Sequence, residues 1–288
     1  MKPAPFDYVT PASVSEAAAA LRDHPDDAKI IAGGQSLVPM MNFRLARPEL
    51  LVDISRIDEL RYIRRRDGWL SIGALTTEHA VETSEQIAAA CPVLTEASRW
   101  IGHPAIRHRG TVGGSLAHSD PSAEYPLVAA LLDAVVVVEG GDGTREVPFS
   151  EFCLGHYTTA LSETEIVTEV RFPVLQPGTG WAFLEVARRS GDFAIASAAV
   201  MLRLDGGIVA EARVALGGAG PTPVRVRQAE ALLHGRQLTD ELIVAAAAEA
   251  ATVARPSSDL HGSADFRRNL CQVLTLRGLK EAQRNVHS

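Results

Sequence analysis

The sequence predicts an α+β protein of two domains, and three observations carry that expectation. Short apolar strands alternate with helical stretches through the first half. A Pro-Gly-Thr-Gly segment from Pro177 to Gly180 then interrupts the pattern, and three closely spaced strand-like segments followed by helices fill the rest. The boundary is therefore placed there, giving domains 1–176 and 177–288. A chain of 288 residues with 46% hydrophobic content is long enough for two separate cores.

Taken in order, Ser13 and Glu16 have capping-box spacing and open an alanine-rich helix to about Arg22. An apolar strand from Ala28 to Ala32 runs into Gly33-Gly34, a short helix is expected from Ser36 to Phe43, and Leu50 to Ile54 reads as a second buried strand. The first fifty-odd residues thus form a small α/β unit. Tyr62 to Ile72 predicts a hairpin turning at Asp67-Gly68, with Arg64-Arg65-Arg66 as a solvated strand end. One helical stretch is expected from Thr76 to about Trp100 and another from Ser122 to Leu132, followed by strands Ala134 to Val138 and Glu165 to Phe172, the last ended by Pro173. Past the boundary, strands are expected at Trp181 to Arg188, Ala194 to Leu204 and Ile208 to Leu216. Helices follow from Arg225 to the end, with a polar break at Pro256 to Asp259.

Composition narrows the function classes. With 28 basic against 35 acidic residues there is no global field to hold a nucleic acid or an anionic membrane, so any anionic ligand must be held locally. Met1 to Asp7 lacks the apolar stretch of a signal peptide, and the longest apolar run, Pro126 to Val138, is interrupted by Asp133. A soluble, cytoplasmic protein without a transmembrane segment is expected. Cys91, Cys153 and Cys271 are far apart and too few for an iron-sulfur cluster that takes four thiolates, and the nine histidines form no metal-ligand spacing. No metal site is assigned.

Two glycine pairs carry the chemistry: Ala32-Gly33-Gly34-Gln35-Ser36 and Thr111-Val112-Gly113-Gly114-Ser115. A pyrophosphate needs several donors converging on it, and side chains at the approach block backbone amides, so paired glycines solve the problem. The first pair sits between a strand and a helix start, where amides and helix terminus point at one anionic group. A plain strand-to-helix turn is the competing reading. Neither segment is a P-loop or a Rossmann fingerprint. The second is read as a polar-glycine loop with Thr111 and Ser115 as hydroxyl donors, and Glu124 as a carboxylate for ribose or adenine groups. Two such loops suit one long, two-headed ligand. The basic residues of Ile101 to Gly110 either offset ligand charge or face solvent or a partner. His118 is either a general base or a loop hydrogen-bonder, and no nucleophile motif accompanies it.

Ala-Gly-Gly-Gln-Ser-Leu at 32–37 and Thr-Val-Gly-Gly-Ser-Leu-Ala-His at 111–118 resemble the medium, FAD-binding subunit of carbon monoxide dehydrogenase and its relatives. Xanthine dehydrogenase carries the same module within a longer chain. The resemblance extends to Ile106-Arg107-His108-Arg109-Gly110, to Asp120-Pro121 with Glu124, to Val186 through Phe193, and to length and domain order. It implies a two-part FAD-binding domain, a small α/β unit plus a mixed α+β unit, followed by a domain of a small antiparallel sheet and helices. By position, the backbone of Ala32 to Ser36 and of Thr111 to Ser115 holds the pyrophosphate, Glu124 binds the cofactor, and Ile101 and Leu161 give apolar contacts. Phe193, after Asp192, lies near the isoalloxazine ring. Ile30, Leu37, Ala117 and His118 complete the implied contact set.

Two departures stand out. His108 replaces an asparagine frequent in relatives. Gln35 stands where covalently flavinylated oxidases of the wider superfamily carry histidine, so noncovalent FAD is expected. The resemblance further implies partners: a large molybdenum-cofactor subunit and a small subunit with two-iron two-sulfur clusters, as a dimer of heterotrimers. The chain then relays electrons from clusters through FAD to an external acceptor, with no acid-base residue of its own. The alternatives are a stand-alone FAD-dependent oxidase or reductase and, in another class, a nonredox scaffold whose glycine pairs are turns.

Overall fold

The computed structural model describes residues 2–286. The first unit runs β1 (Asp7–Val9), α1 (Val14–Asp23), β2 (Ala28–Ile31), α2 (Leu37–Asn42), β3 (Leu50–Asp53), and its three strands form a parallel sheet in the order β1-β3-β2. Ser13 caps α1 by accepting from the Glu16 amide at 3.2 Å. The Glu16 carboxylate accepts from the Ala12 amide at 2.8 Å, one residue further back than the standard box. Val14, Ala17, Ala18 and Leu21, one helical face, pack on Leu50, Val52 and Ile54. β1 was not expected, because a three-residue exposed edge strand has no buried face to leave a period in the sequence.

The second unit opens with the hairpin of β4 (Ile63–Arg66) and β5 (Trp69–Gly73), whose turn residues Asp67 and Gly68 have φ of 51° and 79°, as a two-residue primed turn demands. The single helix expected next is three: α3 (Glu78–Thr83), α4 (Glu85–Ala90) and α5 (Pro92–Trp100). Ser84 leaves the helical region with ψ of 115° and caps α4. Pro92 lacks the amide that would continue the helix past Cys91. Then come α6 (Pro104–Arg107), α7 (Val112–His118), α8 (Glu124–Leu132), β6 (Val135–Gly140), β7 (Gly143–Pro148), α9 (Phe149–Phe152), β8 (Cys153–Gly155), β9 (Thr158–Thr159) and β10 (Ile166–Pro173). Helix α8 begins two residues later than expected, since Asp120 accepts from the Ser122 amide and holds that segment as a turn. An antiparallel sheet in the order β4-β5-β10-β6-β7 backs these helices.

The last part is an antiparallel sheet of β11 (Gly180–Val186), β12 (Ala196–Asp205), β13 (Ile208–Gly217) and β14 (Val224–Arg225), followed by α10 (Arg227–Leu233), α11 (Asp240–Val253) and α12 (Ala264–Asn285). Side chains alternate across it. Ala198, Val200, Leu202, Val214 and Leu216 pack with Cys271, Leu274 and Leu279 of α12, whereas Phe183, Ala199, Met201 and Ala215 join the core around α5 and α8. The sheet therefore floors both domains. At their junction Asp133, left-handed at the end of α8 (φ 52°), receives Arg213 at 2.9 Å, Arg225 at 3.0 Å and Arg227 at 3.4 Å. Among the described residues no helix is long and apolar enough to cross a membrane.

Candidate functional site

β2 delivers Ala32 and Gly33 beside the backbone that precedes α7. A β-carbon on Gly33 would collide with the Arg109 carbonyl and come within 2.9 Å of Gly110 Cα, so the segment from 32 to 36 lies directly on the segment from 109 to 114. Gly34 has a φ of 72°, the left-handed conformation that glycine adopts without strain. Among the described residues, the amides of Gly33, Gly34, Gln35 and Ser36 have no hydrogen-bond acceptor. Gln35 turns its side chain back, Nε2 donating to the Gly33 carbonyl at 2.9 Å, and Ser36 makes no side-chain cap at the start of α2. Four consecutive unpaired donors on half-buried backbone are groups that an anionic ligand would satisfy.

The second glycine pair corrects the expectation of a loop. Thr111 is the N-cap of α7, its hydroxyl oxygen accepting from the Gly114 amide at 3.1 Å, and Gly113 and Gly114 stand in the first helical turn. The amides of Val112, Gly113 and Ser115 donate to Thr76 O, Ala74 O and Thr111 O, at 3.1, 2.9 and 3.0 Å. This backbone is already paired, so it cannot offer the row of free donors expected of it. Gly113 instead permits close packing, because a β-carbon there would strike Ala74. Gly114 turns its bare face toward the first segment: a β-carbon would sit 2.8 Å from Thr111 Oγ1 and 3.8 Å from Ala32 Cβ. Thr111 is buried and spent on the cap, so the second segment presents the Gly114 face and the half-buried Ser115, and the first has the unpaired amides.

The other expected residues divide. Glu124 opens α8, half-buried, and burial raises its carboxyl to about 7. Ile101 is buried in the core of the first domain, and Leu161 packs against that core half-buried. The turn bearing Asp192 and Phe193 docks where Gly191 (φ 85°) abuts the Gly102 carbonyl, so the second domain brings Phe193, 70% exposed, to the end of α5. Ile30 and Leu37 are half-buried at either side of the first segment, and Ala117 is exposed. His118 packs its ring 4.9 Å from that of Tyr157, and burial lowers its pKa, which keeps it neutral. Arg107 is not free to offset ligand charge: it pairs with Glu82 at 2.8 Å and donates to the Ile101 carbonyl at 2.9 Å. His108 stacks on His79, and Arg109 and His103 are exposed. Cys153 is half-buried, packs against the core of the first domain and lies 3.0 Å from the Ser119 hydroxyl.

Two residues escaped sequence reasoning. Glu78 and Glu185 are buried carboxyls coupled to Glu124, raised by burial to about 8 and about 9. No local pattern marks them, because they meet Glu124 from elements far away in sequence.

Residues 4–175 match the family of the FAD binding domain in molybdopterin dehydrogenase, and residues 181–282 match the CO dehydrogenase flavoprotein C-terminal domain. The chain belongs to this family. It is an FAD-binding oxidoreductase subunit of the molybdenum hydroxylase type. The alpha subunit of the 6-hydroxypseudooxynicotine dehydrogenase complex of Paenarthrobacter nicotinovorans is 45% identical, over 98% of this chain and 96% of its own length. The carbon monoxide dehydrogenase medium chain of Hydrogenophaga pseudoflava is 41% identical over 98% of both chains. The solved carbon monoxide dehydrogenase from that organism superposes with a TM-score of 0.97 at 42% identity over 99% of both chains. Quinoline 2-oxidoreductase from Pseudomonas putida 86 gives 0.95 at 40% identity over 99% of this chain and 100% of its own. These likenesses span both domains, and they favour the subunit reading over a stand-alone oxidase and over a nonredox scaffold.

Proposed function

We propose that the chain holds FAD noncovalently between the 32–36 segment and the start of α7 and relays electrons within a molybdenum hydroxylase complex. One observation carries the placement: among the described residues the amides of Gly33 to Ser36 are unpaired, and their segment packs through Gly33 on the backbone of Arg109-Gly110 and through Ala32 on the bare face of Gly114. The amides hold the pyrophosphate, and the Thr111 and Ser115 hydroxyls, Ile30, Leu37, Ala117 and His118 line the same stretch. Glu124 binds the polar part of the cofactor, Ile101 and Leu161 support it, and Asp192 and Phe193 bring the second domain to the ring. Gln35 offers no nucleophile for a flavin bond and is engaged with Gly33. When bound, the flavin joins one-electron carriers to acceptors that take electron pairs. The chain itself binds, orients and shields it.

The partners in this reading are a large molybdenum-cofactor subunit and a small subunit with two-iron two-sulfur clusters, assembled as a dimer of heterotrimers in the cytoplasm. The three scattered cysteines fit the placement of clusters on another chain. The two functional domains divide at 176/177. Purification of the native protein tests the assignment: a molybdenum subunit and a cysteine-rich subunit are expected in near-equal amounts, with flavin released on acid precipitation. A yellow protein isolated alone and oxidising its own substrate would overturn the complex, and flavin retained on the acid pellet would overturn noncovalent binding.

A further inference from the structure

Glu78 and Glu185, on two separate elements, each lie within electrostatic reach of Glu124 at the start of α8, and their surroundings leave them short of partners. Glu78 lies on α3, its amide donating to the Gly110 carbonyl at 3.0 Å, and its carboxyl presses so closely on Gly110 that no side chain fits there. Glu185 comes from β11 in the second domain and stands opposite Ser197 of β12, which stands opposite Gly217 of β13. A side chain at Gly217 would meet the Ser197 hydroxyl, Leu127 and the Pro121 carbonyl, so this part of the sheet presses on the beginning of α8. Glu78 is 6% and Glu185 8% exposed, and in each Oε2 is buried with no hydrogen-bond partner among the described residues, as is the Ser197 hydroxyl. Glu124 opens α8 and is half-buried, the most accessible of the three.

Few charges oppose them. On α6, Arg107 is the cation that faces Glu78, and it is committed to Glu82 of α3 at 2.8 Å. Asp120, before α8, adds negative potential at Glu124, and buried Tyr125 of α8 stays neutral beside Glu78 and Glu124. Glu185 faces Glu124 and gains no cation. Unpaired buried carboxylates in such a setting hold their protons. Burial is the main cause at each, and their upward shifts, to about 8, 7 and 9 for Glu78, Glu124 and Glu185, put the group in mid-titration in the neutral to alkaline range.

We propose that Glu78, Glu124 and Glu185 form one proton-holding group spanning both domains, and that FAD binding draws a proton into it. The inference rests on the FAD placement above. The pyrophosphate of FAD is dianionic, and bringing it beside a partly ionised acid group favours the neutral form of that group. The balance is simple: the flavin-free chain takes up FAD and a proton from solvent, and no covalent bond changes. Glu78 and Glu185 act here through Glu124, as positioning residues.

The test is calorimetric titration of FAD into the flavin-depleted full-length chain, in two buffers of different ionisation enthalpy, between about pH 7 and 9, the range set by the three groups. Net proton uptake is expected, with affinity falling as pH rises, at most about tenfold per pH unit. Glu185→Gln and Glu78→Gln copy the neutral acid in shape, so both variants should still bind FAD, with reduced uptake and a flatter pH dependence. Wild-type binding without uptake overturns the linkage, and so does unchanged uptake in both variants. Failure to bind FAD at any pH overturns the placement itself and the linkage with it. Should a variant fail to fold by circular dichroism, the wild-type proton count alone decides.

Discussion

A single β-carbon decides whether the first glycine segment keeps its place. Gly33→Ala forces the segment off the Arg109 carbonyl and displaces the proposed amide donors. Hydrogen bonds to a charged group contribute about 1.5–3 kcal/mol each, so misaligning one weakens FAD binding roughly ten- to hundredfold. Visible flavin absorbance per chain after gel filtration should collapse while circular dichroism stays native. Thr111→Val keeps shape but removes the cap of α7. It should cost ~1 kcal/mol in urea unfolding, because the Gly114 amide loses its acceptor. The glycine pairs stand out in the sequence, and the fold sets them against each other, with Gly33 on Gly110 and Gly114 facing Ala32. Their division of labour was not legible there. Gly113 serves packing against Ala74, and a contact between residues 74 and 113 leaves no local signal. Glu78 and Glu185 were hidden for the same reason, as ordinary glutamates on a helix and a strand until the fold sets them beside Glu124.

At the level of elements, periodicity located most strands and helices, and the errors cluster where a small residue or a proline cuts a continuous pattern. The run from Thr76 to Trp100 keeps one apolar rhythm, so only Ser84 and Pro92 betray that it is three helices. Short exposed strands such as β7 were missed because four of the first five residues and the last are exposed, which leaves no alternation to read. Capping, in contrast, was readable: Ser13→Ala should cost ~1 kcal/mol of unfolding free energy without changing FAD content. The turn into β10 carries an acid-sensitive pair. Arg145 donates to both Glu165 oxygens, at 2.6 and 2.7 Å, and holds that carboxyl near 2 against an ordinary 4.5. Its folded value is depressed, so the pair stabilises the fold above about pH 4.5 and its contribution fades as pH falls toward 2. Arg145→Gln should therefore lower the thermal midpoint at neutral pH and match the wild type in strong acid. An equal deficit at both ends would show that packing, not the ion pair, is lost.

At the scale of the whole molecule, the Pro177 to Gly180 segment is where the proposed boundary falls, but the dependence of the two parts on each other was not legible. A sequence pattern shows that a strand alternates; it does not show what covers each face. Here one face of the β11–β13 sheet belongs to the first domain's core. Asp133 strengthens the junction by drawing in Arg213, Arg225 and Arg227. Asp133→Ala removes the carboxylate that the three arginines share, leaving them Glu211 and Glu230. Because the aspartate is 48% exposed, the expected loss is about 1–2 kcal/mol, between the ranges for surface and buried pairs. Chemical unfolding should register it as a lower midpoint in a single transition.

The shared floor also constrains inheritance. Phe183, Ala199, Met201 and Ala215 fill sockets made by the amino-terminal half, so a chimera that takes its carboxy-terminal half from a distant relative must bring side chains of the same volumes at those positions. A mismatch that empties the Phe183 socket would cost about 3–5 kcal/mol. The halves of this chain are therefore expected to drift together over generations, each preserving the mould into which the other is cast.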